Sequence, residues 1–309
     1  MKKYFVNNEK VPNSAIAENG TLFRIKKSRT KKALGQNFLK SESALRKIIE
    51  AGEIKKDDVI LEIGPGRGAL TSKLLEYAGV VVAIEKDREL FEFLKIKFAK
   101  DIKAHTLILV CEDILKLDDS YAVLVFANGL AGIGTQRTED LSKNSKPRSY
   151  KIIANIPYNI TGAILKKFLT AKNQPERMVL LVQNEVGKRI AARDGKESIL
   201  SISVKAYGEP KIVMKVPARY FSPSPKVDSA IISIKNISRR IFEEHGINEE
   251  EFWKIVKAGF AHKRKKLSSN LKNYTGENYT GEPCVNLGNK RAEDSSLADW
   301  IALASSFSR

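Results

Sequence analysis

Asn155-Ile156-Pro157-Tyr158 closes an apolar run, Lys151-Ile-Ile-Ala154, and sets an amide, a stiff turn and an aromatic ring side by side. Those groups suit alkylation of an exocyclic amine on a base. The lone pair of such an amine is delocalised into the ring, and acceptors for its two hydrogens free it. The Asn155 side-chain oxygen and the Ile156 carbonyl are candidates for those acceptors. Pro157 would stiffen the turn that aims the carbonyl, and Tyr158 would offer a ring face to a flipped base. A strand end followed by a proline turn and a packing tyrosine would contain the same four residues, so the neighbours decide.

A second constellation lies upstream. An apolar run passes into Leu61-Glu-Ile-Gly-Pro-Gly-Arg-Gly-Ala-Leu70, where Gly64, Gly66 and Gly68 let the backbone turn tightly beneath a ligand. The spacing is G-x-G-x-G, which disfavours the G-x-G-x-x-G of a dinucleotide site. Glu85 ends the next apolar run, where a carboxylate can accept from both hydroxyls of a ribose. Asp113 follows the third, placed to take a hydrogen bond from an adenine amine, and Asn155 ends the fourth. That order of a glycine turn, two carboxylates and an amide fits S-adenosylmethionine better than a nucleotide phosphate.

The elements that must hold these residues read as an α/β alternation. Val59–Ile63, Val80–Ile84, Leu107–Cys111 and Ile152–Ala154 are short β-rich runs. Helix-compatible segments, Leu70–Tyr77 and Leu90–Ala99, separate them, which implies a parallel sheet with crossover helices. A helix is expected from Ser41, an N-cap candidate followed by Leu45, Ile48 and Ile49 at helical spacing. Further strands are expected at Met178–Gln183, Lys211–Val216 and Ala230–Ile234, and helices at Gly162–Leu169 and Glu185–Ala192. Residues 118–149 form a connection longer than usual and read as an inserted surface loop. A boundary is expected near 236–240, because Phe252, Ile255, Val256 and Phe260 then mark an amphipathic helix running into His262-Lys-Arg-Lys-Lys266. The domains expected are a basic arm over residues 1–30, a catalytic domain over 31–235 and a small helical domain over 236–309.

Charge narrows the partner. The 309 residues include 54 Lys and Arg against 36 Asp and Glu, a formal net charge of +18. Such a chain is drawn to a polyanion, with nucleic acid as the default. No apolar stretch approaches the ~20 residues a spanning helix needs. Residues 24–32 carry six basic residues in nine, and Lys263, Arg264, Lys265 and Lys266 are the candidate phosphate contacts. Two isolated cysteines and three histidines show no metal-ligand spacing and no disulfide framework. Cys111, inside an apolar run, reads as a core residue. A monomer in the cytoplasm is expected.

With these residues in view, the chain resembles the ribosomal RNA adenine N6,N6-dimethyltransferase family over about residues 31 to 309. The resemblance rests on Leu34-Gly-Gln-Asn-Phe-Leu39, Glu62-Ile-Gly-Pro-Gly66, Asn155-Ile-Pro-Tyr-Asn-Ile160 and Phe221-Ser-Pro-Ser-Pro-Lys-Val-Asp-Ser229. It implies a Rossmann-like S-adenosylmethionine-dependent methyltransferase sheet with a small C-terminal helical domain. It further implies that Asn37, Leu39, Gly64, Glu85, Asp113 and Asn155 line the cofactor site and that Tyr158 and Phe221 sandwich the target adenine. Small-subunit ribosomal RNA, in the subunit or its precursor, is the implied substrate. A large-subunit methyltransferase of the macrolide-resistance type and a non-catalytic RNA-binding assembly or transcription factor are the alternatives.

Overall fold

The computed structural model describes residues 14–16, 22–24, 36–117, 149–275 and 288–307. Two short strands, β1 (Ser14–Ile16) and β2 (Leu22–Arg24), pair antiparallel. The leader, expected as a basic arm, therefore contains a strand pair. Most of the basic run at 24–32 lies outside the described residues, as does the insertion from 118 to 148.

The chain then lays down β3 (Phe38–Leu39), α1 (Glu42–Gly52), β4 (Val59–Ile63), α2 (Ala69–Tyr77), β5 (Val80–Glu85), α3 (Arg88–Lys97) and β6 (Leu107–Cys111). Ser41 caps α1, accepting from the Ala44 amide at 3.3 Å. Next come β7 (Tyr150–Asn155), β8 (Arg177–Gln183), β9 (Glu209–Val216), β10 (Phe221–Ser222) and β11 (Ser229–Lys235). Helices Thr161–Leu169, Asn184–Ala191 and Ile199–Lys205 lie between strands, and the last is absent from the sequence expectation. Its N-terminus is held by a reciprocal cap between Ser198 and Ser201.

One seven-stranded sheet runs β6-β5-β4-β7-β8-β11-β9, parallel from β6 to β8 and antiparallel where β11 meets β8 and β9. The chain winds outward from β4 to β6 and returns on the other side of β4 as β7. The strand order thus reverses between β4 and β7, which opens a crevice at their carboxyl ends. Every residue of β4 is buried, as a central strand covered on both faces requires. Val59, Leu61 and Ile63 face one apolar cluster with Ile164, Phe168 and Ile202, while Ile60 faces another with Ile48, Leu74 and Leu94.

Two expectations need correction. The helix expected over 90–99 is broken at Phe98, which is buried against Gly68, and helical structure resumes over Ala99–Lys103. Cys111 is exposed: it is the last residue of β6, which is an edge strand of the sheet. The boundary near 236–240 is where the chain leaves the sheet, since helices Arg240–His245, Glu249–Gly259, Leu267–Thr275 and Leu297–Phe307 follow. Among the described residues, Phe242, Phe252 and Trp300 of those helices pack in one cluster with Ile202 and Tyr207. Arg239 adds a polar tie, donating to the Thr170 and Ala171 carbonyls at 2.6 and 2.8 Å and pairing with Glu249 at 2.9 Å.

Candidate active site

The glycine turn leaves β4 with φ of +67°, +61° and +75° at Gly64, Gly66 and Gly68, a region that L side chains rarely adopt. A Cβ on Gly66 would also stand 2.9 Å from the Phe38 ring. The turn is tied to β5 twice. The Gly64 amide donates to the Ile84 carbonyl at 2.9 Å, and the Gly66 amide donates to Glu85 Oε2 at 3.1 Å.

Glu85 is 6% exposed at the end of β5, and its Oε1 accepts from the Asp87 amide at 2.8 Å. Burial holds its carboxyl above the ordinary carboxylate range, against the pull of those main-chain donors. Asp87 caps α3 through the Glu89 amide and takes a side-chain donor, Gln36 Nε2, at 2.9 Å. Just past β6, Asp113 pairs with Lys86 at 2.8 Å and accepts from the Leu115 amide at 3.1 Å. The Lys86 ammonium keeps it below the usual range.

Across the crevice, Asn155 ends β7 and its Nδ2 donates to the Asn37 carbonyl at 3.0 Å. Ile156 is buried, Pro157 has φ −58°, and Tyr158 opens a short 3-10 turn. The Tyr158 carbonyl accepts from Thr161 Oγ1 at 3.1 Å, and its phenol lies 2.6 Å from Ser229 Oγ. Residues 36–40 form a strap over this end of the sheet. Gln36 holds the end of β5 through Asp87, Asn37 holds β7, and Phe38 lies under the Arg67 guanidinium, 4.7 Å from the ring centroid. Leu39 pairs with Phe221, and Phe38 with Ser222.

These parts enclose a cavity of about 290 Å³. Asn37, Leu39, Gly64, Gly66, Glu85 and Asp113 all line it, and so does the run from Asn155 to Tyr158. Phe221 does not. It is 3% exposed and packs in the cluster with Leu39, Leu45 and Ile231. Its main chain pairs with Leu39, and the ring expected to face the target adenine is buried in this conformation.

Glu62, in the sequence only a member of a motif, also lines the cavity. It is 1% exposed, Oε2 has no hydrogen-bond partner, and burial pushes its carboxyl up to about 8. The visible signal was a carboxylate in the middle of an otherwise apolar strand. Gln36 and Ser229 were likewise legible as motif members without a role.

Lys263, Arg264, Lys265 and Lys266 are all exposed. Asn270 orders the turn before them by donating to the Gly259 and His262 carbonyls at 2.6 and 3.1 Å. Lys266 forms a main-chain bridge with Arg291. The run is therefore presented on an ordered edge of the helical part, apart from the cavity lining.

The donor set fits an adenosyl sulfonium: carboxylates at the ends of two adjacent strands, an amide at a third, and apolar walls from Ile63, Leu70, Ile84 and Ile114. Known proteins agree with that fit. A family model described as ribosomal RNA adenine dimethylase matches residues 27–308. The chain is 38% identical over 283 residues to the ribosomal RNA small subunit methyltransferase A of Dehalococcoides mccartyi strain CBDB1, covering 89% of this chain and 87% of that protein. It is 40% identical over 243 residues to the protein of the same name from Fusobacterium nucleatum, covering 78% and 82%. A dimethyladenosine transferase from Plasmodium falciparum superposes with a TM-score of 0.65 at 25% identity, covering 88% of this chain and 97% of that one. The 23S rRNA methyltransferase ErmE shares the fold, with a TM-score of 0.63 at 23% identity over 88% and 100% of the two chains.

Proposed function

Since the chain belongs to the ribosomal RNA adenine dimethylase family, we propose that it transfers methyl groups from S-adenosylmethionine to N6 of adenines in small-subunit ribosomal RNA, giving N6,N6-dimethyladenosine. One observation carries the reading. The residues that suit the donor and those that suit the amine, Glu85 and Asp113 on one side and Asn155 to Tyr158 on the other, line one cavity.

When bound, S-adenosylmethionine supplies a methyl group on a sulfonium that is already a strong electrophile. The protein's work is then placement and polarisation. Glu85 and Asp113 hold the adenosyl hydroxyls and amine, and the turn at Gly64 and Gly66 brings main chain close to the donor. Asn155 Oδ1 and the Ile156 carbonyl accept the hydrogens of the target amine and free its lone pair. As the nitrogen attacks the methyl carbon, the methyl–sulfur bond breaks and leaves a neutral thioether. The alkylated nitrogen is acidic and releases its proton to solvent, so no strong general base is required.

Tyr158 stacks on the target base, and Phe221 supplies the second face once the ring turns out of the core as the base enters. The exposed run from Lys263 to Lys266 contacts phosphates. No helix among the described residues is long and apolar enough to cross a membrane. A monomer acting in the cytoplasm completes the proposal.

Labelled methyl transfer to isolated ribosomal subunits that lack adenine dimethylation tests the choice of RNA. Label in small-subunit RNA is expected. Label confined to the large subunit would select the macrolide-resistance type of activity, and tight RNA binding without transfer would select an assembly factor.

A further inference from the structure

Tyr158 is anchored at both ends, and the two anchors come from distant parts of the chain. Thr161, three residues on, holds its carbonyl. Ser229, 71 residues on, holds its phenol at 2.6 Å. Ser229 is 0% exposed at the first position of β11, opposite Gln183 on β8 and Val216 on β9. Strands β7 and β11 are not neighbours, because β8 lies between them. The Tyr158 side chain therefore reaches from the end of β7 across β8 to the start of β11.

Ser229 is itself held in place. The preceding residue, Asp228, accepts the Asn184 amide on its carbonyl at 2.9 Å and the Ala218 amide on Oδ1 at 3.0 Å. The hydroxyl thus projects from a fixed strand end. An aromatic side chain attached only at Cβ can exchange among staggered positions, and a hydrogen bond at its far end selects one of them. Burial raises the Tyr158 phenol above its ordinary range, so it remains a neutral O–H partner for that bond.

We propose that Ser229 is a positioning residue for methyl transfer: by holding the Tyr158 phenol across the end of β8, it fixes the ring face on which the target adenine stacks. The inference rests on the reading that Tyr158 stacks on that base. Ser229 is fully buried and does not line the cavity, so it acts only through the ring. Its loss therefore slows the chemical step without weakening cofactor binding.

A double-mutant cycle decides it. Single-turnover methylation of small subunits is measured for wild type, Ser229→Ala, Tyr158→Phe and the double variant, alongside S-adenosylmethionine affinity and Tm. Tyr158→Phe keeps the ring and removes only the phenol oxygen. Each single variant is expected to be slowed roughly tenfold, with cofactor affinity unchanged. The double variant should be no slower than either single, because the same bond is missing from all three. Ser229→Thr, which restores a hydroxyl, should recover most of the rate.

A wild-type rate in Ser229→Ala, or losses that multiply in the double variant, would overturn the proposal. If Ser229→Ala does not fold, a wild-type rate in Tyr158→Phe overturns it equally. Should the wild-type protein bind small subunits and leave their adenines unmethylated, the underlying reading of Tyr158 fails and takes this inference with it.

Discussion

The side-chain amide of Asn155 donates from Nδ2 to the main-chain oxygen of Asn37 at 3.0 Å. A carbonyl can accept only from the NH₂ end of an amide, so this bond determines which way the Asn155 group faces. Its nitrogen is committed to the strap, and Oδ1 is directed to the other side. The strap that covers the cofactor cavity is thereby the element that orients the acceptor for the target amine. Donor site and acceptor site are set by one short segment, residues 36 to 40.

The strap's fit against the glycine turn gives a first test. Gly66→Ala would place a methyl group 2.9 Å from the Phe38 ring at φ +61°. We expect a stability loss of about 1–3 kcal/mol from backbone strain alone. Cofactor affinity should fall further than stability does, because Phe38 must shift and carry Asn37 with it. Calorimetric titration with S-adenosylmethionine at a temperature where the variant is folded checks this, and unchanged affinity would separate the strap from the site.

Glu62 gives a pH test. Its carboxyl is raised from the ordinary 4.5 to about 8 by burial. Folded and unfolded chains both hold the proton below 4.5. Between 4.5 and about 8 only the folded chain holds it, so the stability linked to this group is present at low pH and is lost as pH rises through that window. Glu62→Gln removes the dependence. The Tm of the variant relative to wild type, measured without ligand, should increase from about pH 5 to about pH 8.5. A constant difference would place Glu62 outside the linkage.

For the RNA interface, replacing Lys263, Arg264, Lys265 and Lys266 with Gln should lower affinity for small subunits and flatten its salt dependence. Each cation withdrawn from a phosphate reduces the slope of log K against log salt by about 0.7–0.9. Cofactor affinity should stay constant, since none of the four lines the cavity. A slope unchanged in the variant would assign these cations to solvation alone.

Phe221→Leu distinguishes core from stacking. Leucine keeps apolar volume beneath the strap, and the stability change should stay under about 1.5 kcal/mol. If the aromatic ring turns out to meet the base, methylation falls by the equivalent of about 1–3 kcal/mol. Normal turnover would confine Phe221 to its place in the core.

Much of this was readable in the chain. Fully buried runs such as Val59–Ile63 are strands because a central parallel strand is covered on both faces, and the order of those runs is enough to locate the crevice. Glu85, Asp113 and Asn155 followed, since each ends or just passes such a run. Ile199–Lys205 was missed because Ile-Leu-Ser-Ile-Ser-Val alternates like a strand, and the Ser198–Ser201 cap overrides that pattern. The Tyr158–Ser229 bond could not be read, because it depends on β11 lying beyond β8. Phe221 was legible as a motif residue, but its burial comes from the pairing of β10 with β3, two residues on each side. Composition alone gives no register for so short a ribbon.

Activation of the target amine by Asn155 at the mouth of the donor cavity is the central claim. The most direct measurement is nucleoside analysis of small-subunit RNA after incubation with S-adenosylmethionine and either wild type or Asn155→Ala, with binding of both ligands measured in parallel. The wild type is predicted to form N6,N6-dimethyladenosine. The variant is predicted to form it more slowly by about a hundredfold or more, while affinities for small subunits and cofactor change far less. Dimethyladenosine formed at the wild-type rate by Asn155→Ala would contradict the claim.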